Sequence, residues 1–235
     1  MSKKQRIIAV IPARGGSKGI PHKNIQILCG KPLIEYSIKA ALASRVFDDV
    51  VVSTDDRRIR DIAIKAGALC PFLRPASLSG DCVATYPVIK HAVEWMERCR
   101  GAAYDLVTVL QPTAPLRSAG DIRKAIAWLQ RSRAASLVSV ALIDDPHPCK
   151  VQRVIKGKLY NFIDRSPGVR LARRQDLEPA YALNGAIYLS RRAVLDKALL
   201  DKDVLAYIMP AERSVNIDTR LDLEFAGFLM SKKRR

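Results

Sequence analysis

Aromatic side chains are scarce in this sequence: Phe, Trp and Tyr together make up 6% of 235 residues. Nucleic-acid surfaces that stack bases need aromatic platforms, and no stacking motif is visible. No run of 18 or more apolar residues occurs, which excludes a membrane-spanning helix of ordinary length. The five cysteines, at 29, 70, 82, 99 and 149, are odd in number and form no CxxC pair. A disulfide framework or zinc site is not expected, and free, mostly buried thiols are. Acidic residues are also in deficit, 23 against 40 Lys and Arg, for a formal charge of +17. Such charge suits nucleic acid, a membrane surface or small anions. The basic residues are spread out, densest at Arg170–Arg174 and in the tail Lys232–Arg235, so motifs must decide.

The length fits one domain, or one domain with an insertion. Met1 to Arg6 lead straight into an apolar strand pattern with no signal-peptide h-region, so a cytoplasmic protein is expected. Ile7–Ile11 reads as a buried strand closed by Pro12. Apolar residues from Leu33 to Leu42 recur at helical spacing after Pro32. Asp49–Ser53 is a second buried strand, and Asp56 or Thr54 can cap a helix over 57–66 that stops at Gly67. Leu69–Leu73 is a short strand candidate, and a helix is predicted from Thr85 to Arg98. Leu106–Leu110 is a third buried strand, followed by a helix over 119–131 and a strand over Ser136–Leu142.

Strand and helix thus alternate through the first two thirds, the pattern of a doubly wound α/β sheet. Ligands of such sheets bind beyond the carboxyl ends of the strands. The glycine loop, Ser53–Asp55 and Gln111–Arg117 all follow strand ends and should gather at one rim. After residue 143 the pattern changes. Val151–Ile155 and Leu159–Ile163 read as a hairpin, and Asp164–Pro179 is polar and aperiodic. Core patterning resumes at Gly185–Leu189, and a last helix spans about Thr219–Met230. Residues 1–143 and 181–235 are therefore assigned to one domain, with 144–180 inserted as a lid or dimerisation arm.

The loop Pro12-Ala13-Arg14-Gly15-Gly16-Ser17-Lys18-Gly19-Ile20-Pro21-His22-Lys23-Asn24 carries the first chemistry. Three glycines let backbone N–H groups approach a polyphosphate, and Arg14, Lys18 and Lys23 supply charge. It is neither a Walker A loop nor a GxGxxG fingerprint.

This loop resembles the signature of the cytidylyltransferases that activate nine-carbon acidic sugars, the acylneuraminate (CMP-sialic acid) synthetases and their pseudaminic and legionaminic acid relatives. The resemblance continues through Val52–Asp55, Leu73–Ala76, Leu110–Arg117, Asn184–Tyr188 and Ile217–Thr219. It implies a three-layer, Rossmann-like nucleotidyltransferase fold with a mostly parallel sheet. The implied reaction is attack of the sugar's anomeric hydroxyl on the α-phosphorus of CTP, with release of pyrophosphate. Carried over residue by residue, Ala13, Arg14, Gly15, Gly16, Ser17, Lys18, Lys23, Asn24, Arg74 and Thr85 would form the nucleotide site. Lys23, Arg14 and Asp218 would be the catalytic set, with Lys23 near the α-phosphate.

Gln111, Lys150, Arg174, Asn184 and Tyr188 would contact the sugar. Lys150 and Arg174 would do so across a homodimer, from the 144–180 arm. A cation there answers the substrate's carboxylate. Arg117 is expected to be structural, as is His147.

Val215–Thr219 matches a stretch that in the family reads Asp-Ile-Asp and holds Mg²⁺. Here Asn216 replaces the first carboxylate. An amide oxygen can ligate a hard cation but brings no charge, so Asn216 and Asp218 predict a weaker magnesium site. The competing expectation makes Asp218 the cap of the last helix. Ala182 stands where relatives often carry arginine. Alternatives with the same fold take the eight-carbon acid Kdo or a sugar-1-phosphate. A remoter one is a nucleic-acid-binding protein, whereas the main expectation has neither nucleic acid nor membrane as partner.

Overall fold

The computed structural model describes residues 4–17, 19–162, 177–200 and 202–232. Strands β1 (Ile7–Pro12), β4 (Asp49–Ser53), β5 (Leu106–Val109), β6 (Ser136–Leu142), β9 (Tyr181–Arg191) and β10 (Val204–Ile208) form one sheet in the order β10-β6-β9-β5-β1-β4. β1 pairs in parallel with both β4 and β5, and β10 with β6. β9 runs antiparallel to both β5 and β6. Short hairpins are formed by β2 (Ile27–Leu28) with β3 (Lys31–Pro32), and by β7 (Gln152–Ile155) with β8 (Lys158–Asn161).

Side-chain alternation along β1 divides the core. Ile7, Ala9 and Ile11 face one layer, built with helices α1 (Leu33–Ser44), α2 (Arg57–Lys65) and α4 (Ala119–Arg131). Ile8 and Val10 face the other, built mainly with α3 (Thr85–Arg100). Both faces of the strand are buried, as a parallel sheet between helical layers requires. A third, smaller cluster seats α5 (Arg220–Lys232) through Ala226 against Ile20, Leu28, Leu33 and Ile217. The glycine loop and the segment before α5 are thereby packed together.

Helix starts follow local chemistry. Asp56 caps α2 by accepting from the Arg58 N–H, so it, and not Thr54, is the cap. Ser118 and Asp121 form a reciprocal capping box on α4, worth about 1 kcal/mol.

Several expectations need correction. Leu69–Leu73 is not a strand; one bridge, Val51 to Leu69, is all that forms. Strand β10 is an addition to the expected elements: the apolar run Val204–Ile208 forms an edge strand whose residues are half-buried or exposed. The thiols are free but not mostly buried: Cys29, Cys82 and Cys99 are exposed and Cys70 and Cys149 half-buried. Among the described residues no helix is long and apolar enough to cross a membrane.

Candidate active site

The carboxyl ends of β1, β4 and β5 do converge. The Ala13 N–H donates to the Ser53 carbonyl at 3.0 Å, and the Ile217 N–H to the Thr113 carbonyl at 2.8 Å. At this rim lies a cavity of about 290 Å³, lined in part by Arg14, Lys23, Asn24, Arg74, Thr85 and Gln111. A larger hollow of about 700 Å³ opens near the amino ends of β1 and β4, around Lys4, Arg45 and Phe47. It carries none of the motifs, so the rim cavity is the candidate site.

The glycine loop is held from three sides. Gly15 donates its N–H to Asp55 Oδ1 at 2.9 Å, and Asn24 Nδ2 donates to the Arg14 carbonyl at 2.9 Å. A Cβ on Gly19 would lie 2.5 Å from the Asp218 carbonyl oxygen, closer than any side chain tolerates. Gly19 therefore serves close backbone approach.

Lys23 Nζ donates to Asp218 Oδ1 at 2.9 Å and to the Ile217 carbonyl at 3.0 Å. Asp218 also accepts from Asn216 Nδ2 at 2.8 Å. The cap of α5 is not Asp218. Asp222 Oδ2 accepts from the N–H groups of Asp218 and Thr219, and Thr219 Oγ1 accepts from the Asp222 N–H. The helix start is thus satisfied by Thr219 and Asp222, which leaves the Asp218 carboxylate facing Lys23.

Arg74 is buried, with its guanidinium on the Ser53 hydroxyl and carbonyl. Burial lowers its pKa from the ordinary arginine value, opposed by the nearby Asp55 charge. Gln111 shares a corner with Gly185 and Asn216. A Cβ on Gly185 would meet Gln111 Oε1 at 2.8 Å and Asn216 Oδ1 at 3.3 Å. Gly185 has φ +69°, so glycine is favoured there twice over. Asn216 Oδ1 is buried and has no hydrogen-bond partner among the described residues.

Other expected residues lie elsewhere. Arg117 is structural: it is buried and donates to the Ala186 carbonyl at 2.5 Å and Ser37 Oγ at 2.8 Å. Burial lowers its pKa to about 9. His147 is structural as well, with Nδ1 accepting from the Cys149 N–H and Nε2 on the Glu178 carbonyl.

The Asn184 amide is occupied within the fold. Its Oδ1 accepts from Ser139 Oγ at 2.6 Å and its Nδ2 donates to Ser214 Oγ at 3.0 Å, and it is not among the residues that line the cavity. Tyr188 packs on the α3 side of the sheet and is not part of the cavity lining, and burial raises its pKa. Ala13 is fully buried, and Gly15, Gly16 and Ser17 carry the loop beyond the lining. Lys150 is exposed on a short 3-10 turn and is not among the residues that line the cavity. Lys18 and Arg174 lie outside the described residues.

Sequence reasoning missed Asp81, whose Oδ1 lies 2.5 Å from Arg14 Nη1. A lone carboxylate in the loop before α3 carries no motif. Its importance comes from standing opposite Arg14.

A cationic glycine loop at the carboxyl rim of a mostly parallel sheet, opening on a cavity walled by two arginines and a lysine, is the site of a nucleotidyltransferase. The cytidylyltransferase family matches residues 8–203, and the chain belongs to that family. It is 36% identical over 232 residues to the pseudaminic acid cytidylyltransferase of Campylobacter jejuni, covering 94% of this chain and 95% of that protein. It is 34% identical over 241 residues to the CMP-N,N'-diacetyllegionaminic acid synthase of Legionella pneumophila, covering 96% of each. The N-acylneuraminate cytidylyltransferase of Escherichia coli is 34% identical, over 98% of this chain and 53% of its own length. Among solved structures, CMP:2-keto-3-deoxy-manno-octonic acid synthetase complexed with CTP superposes with a TM-score of 0.72 at 19% identity, covering 97% and 99% of the two chains. That likeness concerns the fold.

Proposed function

We propose that this chain transfers CMP from CTP to the anomeric hydroxyl of an acidic nine-carbon sugar, of the sialic, legionaminic or pseudaminic acid type. The observation that carries it is the rim cavity, where Arg14, Lys23, Asn24, Arg74, Thr85 and Gln111 line one space. The relatives activate sugars of that class, at 34–36% identity over nearly the whole chain. Kdo is supported less well, since its synthetase resembles this chain in fold at 19% identity.

In this reading the sugar oxygen bonds to the α-phosphorus as the bond from that phosphorus to the bridging oxygen breaks. Pyrophosphate leaves and the hydroxyl proton is lost. Arg14 and Lys23 neutralise the charge that the phosphoryl oxygens and leaving group carry. Asn24, Arg74 and Thr85 hold the cytidine, and Gln111, able to donate and accept, takes a sugar hydroxyl.

Asp218, beside Asn216 with its unpartnered buried oxygen, suits a magnesium ion whose remaining ligands are phosphate oxygens and water. Among the described residues no group of three or more His, Cys, Asp or Glu could hold a metal without such help. When bound, the ion would supply charge neutralisation at the phosphates.

A homodimer in which Lys150 and Arg174 reach the partner's sugar site is part of the proposal. It is supported by Lys150 standing clear of its own cavity, and by the exposed Val154, Leu159 and Phe162 around the β7–β8 hairpin. A cytoplasmic enzyme fits the use of CTP.

The test is pyrophosphate release with each of the four nucleoside triphosphates and Mg²⁺ against a panel of nonulosonates, Kdo and sugar-1-phosphates. CTP with a nonulosonate should be the productive pair. Turnover confined to Kdo or a sugar-1-phosphate would overturn the substrate assignment.

A further inference from the structure

Arg14 and Asp81 stand on opposite walls of the nucleotide cavity. Arg14 belongs to the glycine loop after β1, and Asp81 to the loop that leads into α3. Their ion pair, Nη1 to Oδ1 at 2.5 Å, joins the two walls across 67 residues of sequence. The Arg14 backbone is already pinned, by Asn24 on its carbonyl and by Asp55 on the following N–H. The guanidinium is held by Asp81, and no other described residue bonds to it.

We propose that Asp81 is a positioning residue that aims Arg14 at the nucleotide's phosphates. A guanidinium carries five N–H donors in a planar fork. Asp81 takes one of them at Nη1, which leaves the Nε and Nη2 donors for phosphate oxygens. Without the carboxylate, a long side chain on a loop of three glycines would sample many rotamers, and binding would have to order it. The side chains of the pair are 33% and 48% exposed, so solvent screens any repulsion between Asp81 and the phosphates. The hydrogen-bonded geometry is local and is not screened away. Asp81 thus acts through Arg14 on the phosphates and leaves the base alone.

This inference rests on the cytidylyltransferase reading, and direct binding separates the two. CTP, UTP and cytidine are titrated by calorimetry against the wild type, Asp81→Asn, Asp81→Glu, Arg14→Ala and the Asp81→Asn/Arg14→Ala double variant. Melting temperatures serve as the check on folding. Asp81→Asn should bind CTP about tenfold more weakly, the scale of one charge-assisted contact. Cytidine binding should be unchanged, Asp81→Glu should recover part of the loss, and the double variant should be no weaker than Arg14→Ala alone.

Unchanged or tighter CTP binding by Asp81→Asn would overturn the proposal. So would additivity with Arg14→Ala, or a changed preference between CTP and UTP, which would make Asp81 a reader of the base. A wild type that binds no CTP would instead sink the parent reading.

Discussion

The Lys23 ammonium lies 2.9 Å from the Asp218 carboxylate, although 195 residues separate them in the chain. The glycine loop and the segment before α5 thus meet as one surface, with a cation and a carboxylate side by side, the pair that the proposed reaction assigns to phosphate and to metal. Asp218 can play this part because Thr219 and Asp222 complete the helix cap without it.

Replacing Lys23 with alanine should reduce kcat for pyrophosphate release by at least about 100-fold, the scale of a lost charge-stabilising group. The fold should change little, because Asp218 is 65% exposed on its side of the pair. Steady-state assay beside thermal melting checks both. A near-normal kcat would remove Lys23 from the reaction.

Asn216→Asp adds the second carboxylate beside Asp218. Turnover should then saturate at a lower Mg²⁺ concentration, since a hard cation gains a charged ligand. Titrating Mg²⁺ at saturating CTP reads this directly. An unchanged requirement would mean that residue 216 does not face the metal.

Gly19→Ala places a Cβ against the Asp218 carbonyl oxygen. The two loops must separate, so CTP affinity should fall at least about tenfold through lost alignment. The melting temperature should fall as well, since Ile20 and Ile217, the chain neighbours of the clashing residues, share one buried cluster. CTP titration with melting in parallel would show both losses, and unaltered affinity and melting would refute the close approach.

Arg117→Ala removes the donors to the Ala186 carbonyl and Ser37 hydroxyl in the buried interior. Leaving those acceptors unpaired should cost about 2–4 kcal/mol of stability. Chemical denaturation measures it, and a loss below about 1 kcal/mol would contradict the structural role.

Asp121 predicts how the fold fails in acid. Burial pushes its carboxyl pKa up, but hydrogen bonds from Arg213 and Ser118 outweigh this and hold it below the ordinary value. A carboxylate with a depressed folded pKa contributes stability above its unfolded value, near pH 4, and loses it as pH falls through the folded pKa. The wild type should therefore lose stability below about pH 4. Asp121→Asn should start less stable and show a shallower decline. Equal slopes in denaturation curves across pH 2 to 6 would refute this.

Much of this protein was legible in its sequence because its signals are local. Strand β6 and helix α4 coincide with their predicted spans, since a short, largely apolar run and the helical spacing of Ile122, Ala125, Ile126 and Leu129 are each written within a few residues. The glycine loop announced phosphate by composition, and its order of residues pointed to the family. Edge strand β10 carries a signal of the same kind as β1, the apolar run Val204–Ile208 ahead of Pro210, and was equally legible.

What the sequence could not express was pairing at long range. Asp81 acquires a role only when the fold brings it across the cavity to Arg14. Asp218 is freed from capping only because Thr219 and Asp222 take that part in the folded chain. Asn184 and Gln111 carry the same carboxamide group, yet one is hydrogen-bonded inside the fold and the other lines the cavity. The sequence by itself determined most of the strand and helix order and the place of the glycine loop, because periodicity, capping and glycine act between near neighbours. The tertiary structure decided which polar groups remain available for chemistry, because a hydrogen bond to a residue 30 or 195 positions away depends on packing that no local pattern encodes.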